Sequence, residues 1–541
     1  TAAGTTVTLS SVSDAFSNVA ALQGTSGVVM TGATITTTSA EAVTKANVTD
    51  LNGFTDAKVT VTSVKDSRSN VTDIAGIDNA LVDMGDAVVT ITDAVSLSEA
   101  NALNLLTGGK ITLNKVEDEK ANVTTLAGID NALVDMGDAV VTITDVVSLS
   151  EANALNLLTD GKITLNSVAD TYANIQEVKK ISDAQVDMGA AAVRVTNNIT
   201  KSEVDDLLTD TNGKITVDFI TEDKSDLSTI NDNTNVILST ANITVEDNVS
   251  RAEADVIDGY NTADGTVTLT SITDTVSDVT AVNSNTNISL ANAAITITDP
   301  ASLSDANSIN LMTEGQVTLN KVEDNYDNLI AIDKLTTSEV SMANAAVTVT
   351  GSIDKAKVDD LRALTGGNIT VVDLADQKSA LETIASYTDV ILSNTNITVT
   401  DVVNKSEVDT INTYNDAGGV VTVSSITDNF SNISDVHGTT GISIGTALIT
   451  ATDPVTLANA TALNGFTNAQ VTLNAVQDTV SNITDINKID STDVSMAAAT
   501  VTVTDPASLS DANAINLMTE GKVTLNSVAD TYANIQEVKK I

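Results

Sequence analysis

One acidic position recurs through the whole chain. It is occupied by Asp14, Asp66, Asp118, Asp170, Glu222, Asp274, Asp324, Asp376, Asp428, Asp478 and Asp530. Each acid follows a run of β-branched residues and precedes a helical pattern. Two chemistries suit it. A carboxylate there caps the following helix by accepting its free N–H groups and complementing its dipole. Stacked on its counterparts, it is also one rung of a carboxylate ladder, which calcium would neutralise with oxygen ligands. A second acidic row lies further on in the repeat, at Asp93, Asp145, Asp299, Asp401, Asp453 and Asp505, with Asn197 and Gly351 as exceptions. The calcium expectation rests on Asp66, Asp118 and Asp170 together with this second row. It comes from charge density alone, since neither an EF-hand loop nor the glycine-rich calcium nonapeptide is present.

Other reactive groups are sparse. There is no cysteine, so disulfides, thiolate nucleophiles and Cys-based zinc sites are excluded. The single histidine, His437, lies in SDVHGTTG and reads as a surface residue after a helix. No nucleophile elbow, phosphate loop or histidine pair occurs, and the chain is expected not to be an enzyme. Four residues after each first-row acid stands an Asn: Asn18, Asn70, Asn122, Asn174, Asn328, Asn432, Asn482 and Asn534, with Asp226, Asp278 and Ala380 departing. These are expected to form a ladder towards the neighbouring repeat. Phe16, Tyr172, Tyr326, Phe430 and Tyr532 share another position with Arg68, Lys120 and Val276. A row so interrupted suits packing beside a helix better than stacking against a glycan.

Composition limits the partners. The net charge is -46, yet 42% of the 541 residues are hydrophobic, so the chain is not a disordered acidic tail. Such acidity opposes nucleic acid and anionic membranes and favours cations. No apolar run approaches the roughly 18 residues of a membrane span, so no membrane insertion is expected. Aromatics make up 2% of the chain. The core must therefore be thin, regular and built from Val, Ile, Leu and Ala.

The elements that position the acids come from a repeat. Repeats begin at Thr6, Lys58, Lys110, Lys162, Lys214, Thr266, Gln316, Asn368, Val420, Gln470 and Lys522. The usual length is 52 residues, two repeats have 50, and the last is incomplete. Within Lys58–Gly109, Lys58 to Thr62 alternates as a strand. A helix after Asp66 places Val71, Ile74 and Ile77 on one stripe. Leu81 to Met84 reads as a second strand, Gly85-Asp86 as a turn, and Val88 to Thr92 as a third strand. Ser96-Leu97-Ser98-Glu99 is a capping box, opening a helix with Ala100, Leu103 and Leu106 inward. Gly108-Gly109 is expected to close that helix in the left-handed conformation. Pro300, Pro454 and Pro506 each follow a second-row Asp, just before a helix, where a missing N–H costs little.

The order strand, helix, strand, strand, helix predicts an α/β fold, a right-handed repeat solenoid running as one array over residues 1–541. One coil is either the whole repeat or, as in leucine-rich repeats, half of it. The similar order of strand and capped helix in both halves favours the half.

Stretches such as AAITITDPASLSDANSINLMTEGQVTLNKVEDNYDNL, at Ala293–Leu329, resemble tandem repeats of very long secreted and cell-surface proteins of bacteria, especially marine cyanobacteria. The resemblance implies an extracellular or cell-surface location and a structural, matrix or adhesive role, with possible contact to polysaccharide or cell surfaces. No catalytic residues come with it. The chain opens on Thr1 and stops inside a helical pattern whose stripe is Ile535, Val538 and Ile541. It is therefore expected to be a processed form or a segment of a longer array, or to continue head-to-tail through another copy. The leading expectation is a fibre, sheath or surface layer. The alternative is a calcium-dependent adhesin stalk.

Overall fold

The computed structural model describes residues 4–77, 81–129, 133–181, 185–335, 339–416, 418–490 and 492–541. The chain divides into two compact units, Thr1–Thr270 with Thr286–Ser289, and Ser271–Asn285 with Leu290–Ile541. Both are α/β, and both are built from the predicted repeat. In the first unit, the strand Ile111–Asp118 leads to the helix Lys120–Gly128, the short strand Val134–Asp135, the strand Val140–Val147 and the helix Leu149–Asn156. In the second, Val317–Asn325, Tyr326–Asp333, Val340–Ser341, Ala346–Ile353 and Lys355–Leu364 repeat that order.

The strand pairings within each unit are parallel, and their register sets the size of a coil. In the first unit Val116 faces Val141, Val141 faces Ile163 and Val168 faces Val193. In the second, Val322 faces Val347 and Val347 faces Ile369. Each long strand thus pairs with the long strand of the next half repeat, so one coil is one strand and one helix. The fold is a solenoid whose coil is half the sequence period.

Alternation explains the strands. Val141, Ile143 and Val147 are buried, while the residues between them face outward. The short strand Val134–Asp135 pairs with Ile111–Thr112, after which a turn through Gly137 moves the chain to Val140, which pairs with Lys115. A second register shift falls between Ile143 and Val146. In the repeats with proline this shift falls immediately at Pro300, Pro454 and Pro506. A bulge is where a strand tolerates a residue with no N–H.

The helices follow the predicted stripes in their first two members, while Ile77 and Leu106 lie just beyond the helix ends and are half-buried. Ala100 and Leu103 are buried in Leu97–Asn104, and Val71 and Ile74 in Arg68–Gly76. The capping box is present: the Ser96 N–H donates to Glu99 Oε2 at 2.9 Å, and the Glu99 N–H to Ser96 Oγ at 3.4 Å. The glycines after this helix differ from expectation. Neither Gly108 nor Gly109 has a positive φ, and Leu105 in the right-handed region ends the helix. Gly109 is required for proximity instead, because a Cβ there would lie 2.3 Å from the Ala87 carbonyl oxygen in the preceding strand region.

A buried polar residue holds that close approach together. Thr159 Oγ1 donates to the Ala139 carbonyl at 2.7 Å and accepts from the Gly161 N–H at 2.9 Å. Thr55, Thr107, Thr211, Thr313, Thr365, Thr467 and Thr519 occupy the same buried place. Asn261 and Asn415 replace it. Asn261 reaches both the Ala241 carbonyl and the Gly265 N–H, spanning a loop two residues longer than Thr159 to Gly161. Thr159→Val keeps the shape and removes both bonds. It is expected to cost about 1–3 kcal/mol. Amide hydrogen exchange between Ala139 and Ile163 reads the loss, and unchanged protection there would rule out this role for the hydroxyl.

Candidate functional site: a carboxylate seam between coils

The first acidic row does not supply its own helix caps. Asp118 is the last residue of the strand Ile111–Asp118, and the cap of the following helix is the next residue, Glu119. In most repeats that next position is a true capping side chain, such as Ser67, Thr171, Asp223, Thr275, Asn325, Asn429, Thr479 or Thr531. The acid behind it is free to act elsewhere.

Its partners are in two coils. Asp118 Oδ1 accepts the Glu119 N–H and the Asn122 side-chain amide, each at 2.8 Å. Its Oδ2 accepts the N–H of Leu97 at 2.8 Å, the first residue of the helix one coil earlier. The same arrangement occurs at Asp66, Asp170, Asp324, Asp428, Asp478 and Asp530, which take the N–H groups of Lys45, Leu149, Leu303, Lys405, Leu457 and Leu509. Each acid thus satisfies an orphan donor at the positive end of a neighbouring helix.

The Asn row turns inward as well. Asn70, Asn122, Asn174, Asn328, Asn432, Asn482 and Asn534 donate to the acid four residues earlier in the same coil. The expected ladder towards the neighbouring repeat is replaced by this clamp, which fixes the carboxylate plane so that its other oxygen points at the next helix. At Ala380 the clamp is missing, yet Asp376 still accepts from Gln377 and Lys355.

The second acidic row closes the alternate seams. Asp93 and Asp145 in the first unit accept the N–H groups of Arg68 and Lys120. Asp299, Asp401, Asp453 and Asp505 in the second accept those of Val276, Lys378, Phe430 and Val480. Each takes that N–H on one oxygen, Oδ1. Asn197 takes the same place, accepting from Tyr172 at 2.8 Å. Asp247, which the sequence reading passed over, belongs to this row and accepts from Lys224. A strand residue of one coil therefore caps the helix of the coil before it, at the strand end in the first row and at the register shift within the strand in the second.

Electrostatics favour the ionised acid at Asp66, Asp118, Asp170, Asp324, Asp428 and Asp478. For Asp118, burial pushes the carboxyl up, but Asn122 and the Leu97 and Glu119 N–H groups outweigh it and hold it below the usual carboxylate range. Asp478 is held down by the Leu457 N–H, Asn482 and Thr479 against the same burial. Among the described residues, no three His, Cys, Asp or Glu side chains gather so as to hold a metal ion. Both acidic rows serve as hydrogen-bond acceptors between coils.

One further sequence reading changes, and another holds. His437 lies in the last turn of the helix Phe430–Gly438, not after it, and its ring stacks on Phe466 with centroids 4.1 Å apart. The interrupted aromatic row consists of first residues of helices. Tyr172 and Tyr326 donate to Asp206 and Asp360, at 2.9 and 2.7 Å. Burial and Asp206 raise the Tyr172 phenol to about 12, and Asp360 with burial does the same to Tyr326. Their hydroxyls are committed to another helix, in keeping with edge packing.

These features define a class: an α/β solenoid of strand–helix coils, sewn by carboxylates that cap the helices of adjacent coils. No family model, curated protein or solved structure matches the chain. No helix among the described residues is long and apolar enough to cross a membrane.

Proposed function

We propose that the chain is a non-enzymatic structural repeat protein of the bacterial cell exterior, contributing to a fibre, sheath or surface layer by end-to-end association of its coils. The observation that carries this reading is the polarity of the seam. A coil offers helix N–H groups and a strand edge on one side, and strand carboxylates and the opposite strand edge on the other. Any coil therefore complements any other, head to tail. Such a contact is heterologous and does not close on itself, so it propagates. The acidic surface and the resemblance of the repeats to secreted bacterial arrays support the location.

The test is sedimentation velocity of the purified chain over a concentration series, with electron microscopy of the same samples. Filaments that lengthen with concentration are expected. Isolated particles at every concentration would overturn end-to-end assembly and favour a monomeric stalk.

A further inference from the structure

One pocket in the second unit departs from the uniform surface. It lies against the helices Lys378–Ala385 and Lys405–Asn412 and encloses about 280 Å³. Its floor combines the side chain of Ile411 with Tyr414, half-buried just beyond the second helix. Around them stand Glu382, Ser379 and Ser406, all exposed, and the ion pair of Lys378 with Glu407 at 2.6 Å. Tyr387 differs from Tyr414, since its hydroxyl donates to Asp359. Among the described residues the Tyr414 hydroxyl meets no hydrogen-bond partner, and neither do the Ser379 and Ser406 hydroxyls. Burial first, then the Glu382 carboxylate, keeps the Tyr414 phenol protonated and available as a donor.

We propose that this pocket binds a neutral saccharide, with apolar sugar C–H groups on Tyr414 and Ile411 and sugar hydroxyls on Glu382, Ser379 and Ser406. The volume is near the small end of ligand pockets, about 300 Å³. An aromatic face beside several uncommitted hydroxyls and planar carboxylates matches a ligand that is apolar on its ring faces and hydroxylated at its rim. Two carboxylates against one ammonium disfavour uronic-acid or sulfated chains.

The first unit carries a natural control. Lys224 pairs with Glu253 at 2.9 Å, and Tyr260 follows, as Lys378, Glu407 and Tyr414 do. There, however, Ser228, Ala252 and Val256 stand in place of Glu382, Ser406 and Thr410. The framework persists and the ring of hydrogen-bonding groups does not. Binding is therefore assigned to the Tyr414 pocket and not to the Tyr260 position.

The experiment uses the full chain. Neutral oligosaccharides of glucose, galactose, mannose and N-acetylglucosamine, and a polyuronate oligomer as the charged comparison, are screened by saturation-transfer NMR and then titrated calorimetrically. A neutral sugar is expected to bind at a single site. Tyr414→Ala and Glu382→Gln should each weaken it by about tenfold or more, while Tyr260→Ala leaves it unchanged. Glu382→Gln and Ser406→Ala alter exposed side chains, so they keep the test decisive if Tyr414→Ala changes the melting curve. Absence of binding to every neutral sugar, binding that survives Glu382→Gln and Ser406→Ala together, or tighter binding of the polyuronate would each overturn the proposal. The scaffold reading depends on sedimentation and imaging, so a negative titration leaves it standing.

Discussion

Acid is expected to unstitch the coils. The thermal midpoint should stay nearly flat from about pH 8 to 5 and fall steeply below about pH 4. The sign follows from the seam. Asp66, Asp118, Asp170, Asp324, Asp428 and Asp478 are all held below their ordinary range in the folded chain. A group depressed on folding contributes stability that is fully present above its unfolded value, about 3.9, and is lost as pH falls through the folded value. Protonation turns an acceptor oxygen into a donor. At Asp118 it must disturb the bonds from Leu97, Glu119 or Asn122, each worth about 1 kcal/mol net. One effect opposes this: the chain carries -46 charges, and neutralising carboxylates relieves their repulsion. Surface repulsion is screened beyond about 8 Å at physiological ionic strength, whereas a bond of 2.8 Å is not. The seam should therefore dominate in 0.15 M salt. Calorimetry from pH 8 to 3 at constant ionic strength decides it. A midpoint that rises between pH 6 and 4 would show that repulsion governs and that the acids only solvate the surface.

The repeat was legible because two periods alternate within it. Val140 to Ile143 varies at the strand period, and Ala152 and Leu155 at the helix period, so each element announced itself. Ser148 and Glu151 announced where the second helix begins. The size of a coil was harder to read. The sequence repeats every two coils, and only the pairing of Val141 with both Val116 and Ile163 shows that each half is complete. The acids were found by position but assigned to the wrong helix. Spacing along the chain places Asp118 next to Lys120, while its Oδ2 partner, Leu97, lies 21 residues back and becomes a neighbour only once the coils stack. Gly109 and Thr107 were misread or passed over for a related reason. A Thr-x-Gly step looks like an ordinary loop until a backbone carbonyl from the preceding coil is pressed against it.

The two acidic rows should respond unequally to the same isosteric change. Asp478 uses both oxygens: Oδ1 takes Thr479 and Asn482, and Oδ2 takes Leu457. An asparagine there has one acceptor oxygen and one NH2. Whichever way it turns, an N–H donor faces another donor, and the positive end of the helix Leu457–Phe466 loses its anion. Asp478→Asn is expected to cost about 2 kcal/mol. Asp453 uses only Oδ1, for the Phe430 N–H at 2.8 Å. Asn197 already performs that task in the first unit. Asp453→Asn should therefore change stability by less than about 0.5 kcal/mol. In a coil array the damage stays near its source, so a global melt would dilute it. Amide hydrogen exchange at Leu457 and Thr479 in one variant, and at Phe430 in the other, measures each seam directly. Fast exchange is expected only in Asp478→Asn. If both variants exchange alike, the contribution of these acids is charge alone, and the two-oxygen clamp has no separate role.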